Sequence, residues 1–297
     1  MMKNTQKKFD VVTITLNPAL DLTITIRDFK RGAVNRVEKS HTMPGGKGVN
    51  AAAALASDGH RVAVTGFLGR ENSGDFEALF AEKGINDCFV RIPGRTRTGI
   101  KIIDPVQNIT TDINFPGLAP TACDLDLLRA QLDALDAAWF MVGGSIPPGV
   151  DAAVYSGLIR ALKARGGRVA LDTSGDALRH GIEAAPDIIK PNIHELEALI
   201  GEPLATQIAV VEAAKSLLAK GVKLVVVSMG KEGACFVTNS GVVMEHAPEI
   251  EIKSTVGAGD AMVAGIIAAQ LRQLPLSECA KLATAFSVEL LKRNAAR

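Results

Sequence analysis

Trp139-Phe140-Met141-Val142-Gly143, followed by Gly144-Ser145-Ile146-Pro147-Pro148-Gly149, sets an unbroken apolar run against a glycine and proline loop. A short run without polar alternation predicts a strand buried on both faces, the condition of a parallel sheet covered by helices. Ala152 to Arg165 then reads as a helix, Arg168 to Asp172 as a strand and Ile188 to Lys190 as another. Working outward, Asp124 to Leu135 reads as a preceding helix and Lys223 to Ser228 as a later strand. Repeated strand–helix alternation predicts an α/β fold with a mostly parallel sheet flanked by helices. Ligands of such sheets bind beyond the carboxyl ends of the strands. Ser145, Asp172, Lys190, Asn192 and Glu195 fall there or just after.

A second loop lies further along, Ser254-Thr255-Val256-Gly257-Ala258-Gly259-Asp260, between the alternating run Val242 to Lys253 and the apolar stretch Ala261 to Leu271. It predicts a tight turn opening a helix, whose first N–H groups have no partner in their own helix and can hold an anion. Asp260 follows as the first carboxylate of that helix. A phosphate over free N–H groups beside a carboxylate describes a phosphoryl transferase with Asp260 as base, and equally a helix-start residue favoured by the dipole. A Walker loop is excluded by the absence of Lys-Ser/Thr after the second glycine, and Met262 stands where a dinucleotide fingerprint needs its third glycine.

Towards the start, Val11 to Leu16 and Leu22 to Ile26 read as strands, with Asn17-Pro18-Ala19-Leu20-Asp21 as an interruption between them. Asp21 there suits either a turn or a polyhydroxyl ligand. Pro44-Gly45-Gly46-Lys47-Gly48-Val49-Asn50 precedes the helix Ala51 to Ser57, so backbone amides, Lys47 and Asn50 can converge on a small polar ligand. A helix from about Ser73 to Lys83 ends at Gly84. Gly99 to Ile103 and Thr110 to Phe115 then read as hairpin arms around Asp104-Pro105, outside the βαβ rhythm. With Leu22 to Val37 they predict a small separate sheet, a lid drawn from about residues 20–38 and 95–116 of a single domain. Arg97 and Lys101 share one face of the first arm, as charges on a solvated edge or as a paired cationic site. Asn192 and Glu195, three apart at the start of the helix to Ile200, fit a helix cap as well as a ligand site. Met229-Gly230-Lys231-Glu232-Gly233 is another glycine turn at a strand end, and a last helix runs from about Ser277 to Lys292.

The 297 residues, 47% apolar, can bury a full-sized core. Thirty-three basic against 32 acidic residues leave a formal charge of +1, too little excess for a nucleic-acid surface. Cys88, Cys123, Cys235 and Cys279 are widely spaced, which suggests neither a zinc site nor a disulfide framework. Met1 to Asp10 is polar, and no apolar run reaches the ~20 residues of a membrane span. A cytoplasmic protein is expected.

Together these pieces resemble the PfkB/ribokinase family of carbohydrate kinases. The likeness rests on Asp21, Gly45-Gly46-Lys47-Gly48-Val49-Asn50, Lys190-Pro191-Asn192 with Glu195, Ser228-x-Gly230-x-x-Gly233 and Thr255-x-Gly257-Ala258-Gly259-Asp260, in the family's order. Thr15-Leu16-Asn17-Pro18-Ala19-x-Asp21, Thr96-Arg97 with Lys101, and Thr111-Asp112-Ile113-Asn114-x-Pro116-Gly117 are similar to the branch that phosphorylates sugars already carrying a phosphate. Arg97 and Lys101 make the distinction, because a dianionic phosphate needs fixed positive partners. The resemblance implies ATP-dependent phosphorylation of fructose 1-phosphate, with a tagatose 6-phosphate kinase or a catalytically silent sugar-phosphate sensor as alternatives. It implies that Asp21, Gly45, Gly46, Lys47, Gly48 and Asn50 hold the sugar, that Arg97 and Lys101 hold its phosphate, and that Ser145 is a further substrate-binding residue. Asp260 becomes the base, with Gly257, Ala258 and Gly259 as the anion hole. Lys190, Asn192, Ser228, Gly230, Gly233, Thr255, Gly257, Gly259, Thr284 and Val288 face ATP, and Glu195 orients Mg2+ through water. A homodimer through the lid is also implied. One position departs from the branch, which usually has Asn where Gly99 stands.

Overall fold

Val12 and Ile14 of β1 (Phe9–Thr15) are fully buried in one apolar cluster and Val11 in a second, so this strand is covered on both faces. The structure is a computed structural model describing residues 8–248, 250 and 255–295. After β1 come β2 (Ala19–Thr25), β3 (Lys39–Gly45), α1 (Lys47–Ser57), β4 (Val62–Gly69) and α2 (Gly74–Lys83). Two short strands, β5 (Asn86–Asp87) and β6 (Val90–Ile92), precede the hairpin β7 (Arg97–Asp104) and β8 (Ile109–Asn114). The strand–helix rhythm returns with α3 (Ala122–Ala134), β9 (Ala137–Gly143), α4 (Val154–Ala164), β10 (Arg168–Asp172), α5 (Gly175–Ile182) and β11 (Ile188–Ile189). Then follow α6 (Ile193–Ile200), α7 (Gln207–Leu218), β12 (Leu224–Ser228), β13 (Ala234–Thr238), β14 (Gly241–Glu245), α8 (Ala258–Leu271) and α9 (Leu276–Ala295).

The main sheet has ten strands, ordered β14-β13-β12-β11-β10-β9-β1-β4-β5 with β6 also pairing β4. It is parallel except for the β12–β13 and β13–β14 pairs. β1 is the topological switch point, with β4 on one side and β9 on the other, and Thr15, Gly143 and Asp172 end their strands in one row, level with Gly66 of β4. One face buries Leu128, Tyr155, Leu162, Leu196 and Leu217 from α3, α4, α6 and α7. The other buries Val49, Phe76, Phe80, Ile267 and Ala283 from α1, α2, α8 and α9. Helix α8 is buried over ten residues and apolar all round, as a helix enclosed by sheet and neighbours must be.

A separate four-stranded sheet, β3-β2-β7-β8, stands at the carboxyl edge of the main one. Its strands differ from the expected segments in two ways. Residues 26–38 are a connecting loop, and the first pair is completed by β3, which sequence patterning left unassigned because its side chains are almost all exposed. β2 begins at Ala19, so Asp21 lies inside a strand, opposite Met43 and Gly99, and not at a break. Of the run expected from Val242 to Lys253, β14 covers its first residues, while Glu249 and residues 251–254, Ser254 among them, lie outside the described residues.

Candidate active site

Helix α8 opens at the glycine loop with Gly257 in the left-handed region, φ 77°, a conformation that favours glycine. The Ala261 N–H closes the first turn onto Gly257 O. The Ala258 N–H turns back onto Thr255 O at 3.2 Å, so this amide of the expected anion hole is engaged within the loop. Among the described residues no acceptor meets the N–H of Gly257, Gly259 or Asp260. Asp260 is buried, and its Oδ2 accepts from Asn50 Nδ2 at 2.7 Å, joining α8 to α1. Burial pushes the Asp260 carboxyl up to about 6 against the opposing pull of Lys47, with Asp172 adding to the rise and Asn50 and Lys190 opposing it.

Two lysines converge beside it. Lys47, first residue of α1, places Nζ 2.8 Å from Asp172 Oδ1 at the end of β10, and Lys190 Nζ lies 3.6 Å from the same oxygen. Burial works against both charged partners, yet Lys190 and Lys47 hold the Asp172 carboxyl below its usual range, and Asp172 and Asp260 raise Lys47. A Cβ built at Gly259 would lie 3.3 Å from Lys190 Nζ, so this ammonium stands over the start of α8. Asp172 Oδ2 is buried with no partner. The sequence places Asp172 at a strand end without giving it a role, because its importance lies in contacts from residues 47 and 190.

On the other side of α1, a Cβ at Gly45 would meet Asp21 Oδ2 at 2.4 Å, so the glycine makes room for that carboxylate. Lys101 Nζ lies 3.4 Å from Asp21 and 3.8 Å from Asp112, committing the lysine to carboxylates of its own sheet. Burial raises the Asp21 carboxyl against the pull of Lys101. Arg97 points elsewhere, donating from Nε to Asn17 O, from Nη1 to Phe115 O and from Nη2 to Ser145 Oγ at 3.4 Å. Asn17 Nδ2 in turn donates to Ser145 Oγ and Pro116 O. Arg97 and Ser145 therefore meet, Lys101 pairs with Asp21, and Asn17, quoted in the sequence only within the motif from Thr15 to Asp21, joins Arg97 and Ser145. Where the branch has Asn, Gly99 leaves space filled by Asp21, whose Oδ1 would be 2.7 Å from a Cβ there.

The residues expected to face ATP adjoin through a parallel bridge between Asn192 and Ser228. Asn192 and Glu195 form a full capping box on α6: Asn192 Oδ1 accepts from the Glu195 N–H, and Glu195 Oε2 from the Asn192 N–H at 2.8 Å. Gly230 has φ 59° in a short 3-10 turn. Gly233 lies against β14, where a Cβ would be 2.0 Å from Glu245 O. Thr284 Oγ1 is buried with no partner, and Val288 is half-buried one turn further along α9. A cavity of about 930 Å³, lined by Asp21, Met43, Asn50, Gly257 and Leu290 among others, runs between the small sheet and α1 and α9.

Residues 14–297 match the pfkB family of carbohydrate kinases. The chain belongs to this family. The 1-phosphofructokinase of Rhodobacter capsulatus is 49% identical over 284 residues, covering 95% of this chain and 90% of that one. A possible 1-phosphofructokinase from Thermotoga maritima superposes with a TM-score of 0.84 at 33% identity, over 95% of this chain and 92% of that one. Phosphofructokinase-2 of Escherichia coli in complex with fructose-6-phosphate gives a TM-score of 0.88 at 27% identity, covering 96% and 94%. The pfkB fold is thus shared over nearly the whole chain.

Proposed function

We propose that this protein is a 1-phosphofructokinase, transferring the terminal phosphoryl group of ATP to fructose 1-phosphate to make fructose 1,6-bisphosphate. One observation carries the reading: the buried Asp260 carboxylate, held by Asn50, sits in the first turn of α8 beside amides that no described residue uses. Arg97, Asn17 and Ser145 add a cation, an amide and a hydroxyl at the foot of the small sheet, the chemistry a sugar's existing phosphate needs.

In this reading Asp21, Asn50 and the backbone of Gly45, Gly46 and Gly48 orient the sugar hydroxyls, and Arg97 and Ser145 hold its phosphate. Lys101 acts through Asp21, whose charge it balances. Asp260 accepts the proton of the attacking hydroxyl. A group ionising near 6 cannot strip an alcohol outright, but a loose transition state releases that proton late, so placement outweighs basicity. The N–H groups of Gly257 and Gly259 face the transferring group, and Ala258 shapes the loop. By analogy with oxyanion donors each is worth about 2.7–4 kcal/mol in the transition state. Lys47 and Lys190, gathered by Asp172, add positive charge, while Asn192, Ser228, Gly230, Gly233, Thr255, Thr284 and Val288 surround ATP. Glu195 commits Oε2 to the α6 cap, so its remaining oxygen fits a water-mediated contact to Mg2+ better than direct coordination. When bound, that ion would neutralise charge on the nucleotide phosphates.

The chain acts as one kinase domain with the small sheet as lid, working in the cytoplasm; no helix among the described residues is long and apolar enough to cross a membrane. Exposed Met43, Ile109, Ile113 and Phe115 concentrate on the small sheet and support a homodimer formed through it. ADP release with ATP, Mg2+ and fructose 1-phosphate tests the reading.

A further inference from the structure

Ser287, Leu290 and Asn294 stand at i, i+3 and i+7 on α9, a spacing that puts them on one face. Each meets a different residue of the glycine loop. Ser287 Oγ donates to Ala258 O at 2.7 Å, and Asn294 Nδ2 donates to Val256 O at 3.1 Å. Leu290 Cδ2 lies 3.1 Å from where a Cβ of Gly257 would stand. The helices approach closely because α8 carries Gly265, whose Cβ would be 2.7 Å from Ala283 Cα.

The two carbonyls so held are not arbitrary. A trans peptide unit is planar and points its C=O and N–H in opposite directions. Val256 O shares a unit with the Gly257 N–H, and Ala258 O shares one with the Gly259 N–H. Pulling these oxygens back towards α9 turns those two N–H groups away from it. The intervening unit has its N–H on Thr255 O and its Gly257 carbonyl on the Ala261 N–H. The helix therefore grips the two peptide units of the loop whose N–H groups meet no described acceptor.

We propose that Ser287 and Asn294 are positioning residues for phosphoryl transfer, fixing from behind the direction of the Gly257 and Gly259 N–H donors. The inference rests on the kinase reading above. A donor aimed at charge that develops only in the transition state stabilises that state more than bound ATP. Losing either tether therefore lowers kcat and leaves substrate affinity nearly unchanged.

The test compares the full-length parent with Ser287→Ala and Asn294→Ala, the second at a half-exposed position near the helix end where folding is little disturbed. Steady-state kinetics with fructose 1-phosphate are measured alongside inhibition by MgADP alone and by MgADP with aluminium fluoride, a mimic of the transferring group. The expected result is a kcat lower by ~10-fold to 100-fold in each variant, since small misplacements cost rates of that order. Each KM should stay within about threefold, with the fluoride complex weakened in proportion to kcat and MgADP alone unaffected. A kcat within about twofold of the parent, a loss confined to KM, or equal weakening of MgADP with and without fluoride overturns the inference. A parent that transfers no phosphate overturns instead the kinase reading on which it stands.

Discussion

The Lys47 ammonium lies 2.8 Å from a fully buried Asp172 carboxylate, tying the start of the first helix to the end of the tenth strand. Lys190 shares the oxygen, so one carboxylate holds together two cations that would otherwise repel. Removing one partner of a buried pair leaves uncompensated charge and costs about 3–5 kcal/mol. Asp172→Asn should lower the thermal midpoint by several degrees and reduce kcat. The carboxyl is held low in the folded state, so its stabilising contribution is present above the unfolded value near 3.8 and is lost as pH falls through the lower folded value. The difference in midpoint between parent and variant should therefore be full at pH 7 and shrink at strongly acid pH; equal midpoints at pH 7 would remove the pair from the account.

Asp260 carries the opposite sign. Burial raises its folded value from 3.8 to about 6, so the folded state binds the proton more tightly than the unfolded chain. The stability this brings is complete below 3.8 and lost as pH rises through about 6, leaving a strained carboxylate at neutral pH. Asp260→Asn should thus melt higher than the parent at pH 7.5, by up to ~3 kcal/mol, while kcat falls by roughly a thousandfold or more and affinity for the sugar phosphate changes little. In the parent, kcat/KM should decline below about pH 6, where the base becomes protonated. Near-normal turnover in the variant rules out Asp260 as base.

Arg97 contributes a planar fork that Lys cannot reproduce. Charge-assisted hydrogen bonds contribute about 1.5–3 kcal/mol each, so Arg97→Lys should cut kcat/KM for fructose 1-phosphate by roughly 10-fold to 100-fold. The low activity on free fructose should stay almost unchanged. A parallel fall for both sugars would assign Arg97 to the lid's structure.

Ile113 and Phe115 are about half exposed although large and apolar. If two copies dock through the small sheet, a paired substitution Ile113→Asp and Phe115→Asp should convert a dimer into monomers in sedimentation velocity, with the fold retained by circular dichroism. A parent that sediments as a monomer contradicts the docking.

The main sheet was legible because its strands are short apolar runs between glycine turns: Arg168–Asp172 falls where the pattern places it, and Ala137–Gly143 extends the reading by two residues. Helices α5 and α7 went unread, the first because it is short and begins at a glycine, the second because Ile208 is 77% exposed and blurs the apolar stripe. The small sheet was harder, since β3 exposes nearly every side chain and carries no buried alternation. Within the site, Asp260, Lys47, Asn50 and Arg97 announced themselves through local motifs. Asp172, Ser287 and Asn294 did not, because Lys47 lies 125 positions from Asp172, Ala258 29 from Ser287 and Val256 38 from Asn294, and only the fold brings them together. Spacing puts Lys101 on one face with Arg97, and the fold adds a contact that spacing does not show, its ammonium 3.4 Å from Asp21 on the neighbouring strand.

The central claim is a phosphate-carrying acceptor meeting a donor nucleotide at Asp260. It is tested most directly by ADP release with ATP and Mg2+ against fructose 1-phosphate, fructose 6-phosphate, tagatose 6-phosphate and unphosphorylated fructose in one panel. The expected outcome is a kcat/KM for fructose 1-phosphate well above every other sugar, abolished in Asp260→Asn. Comparable turnover of free fructose, preference for tagatose 6-phosphate, or no ADP release with any sugar contradicts the account.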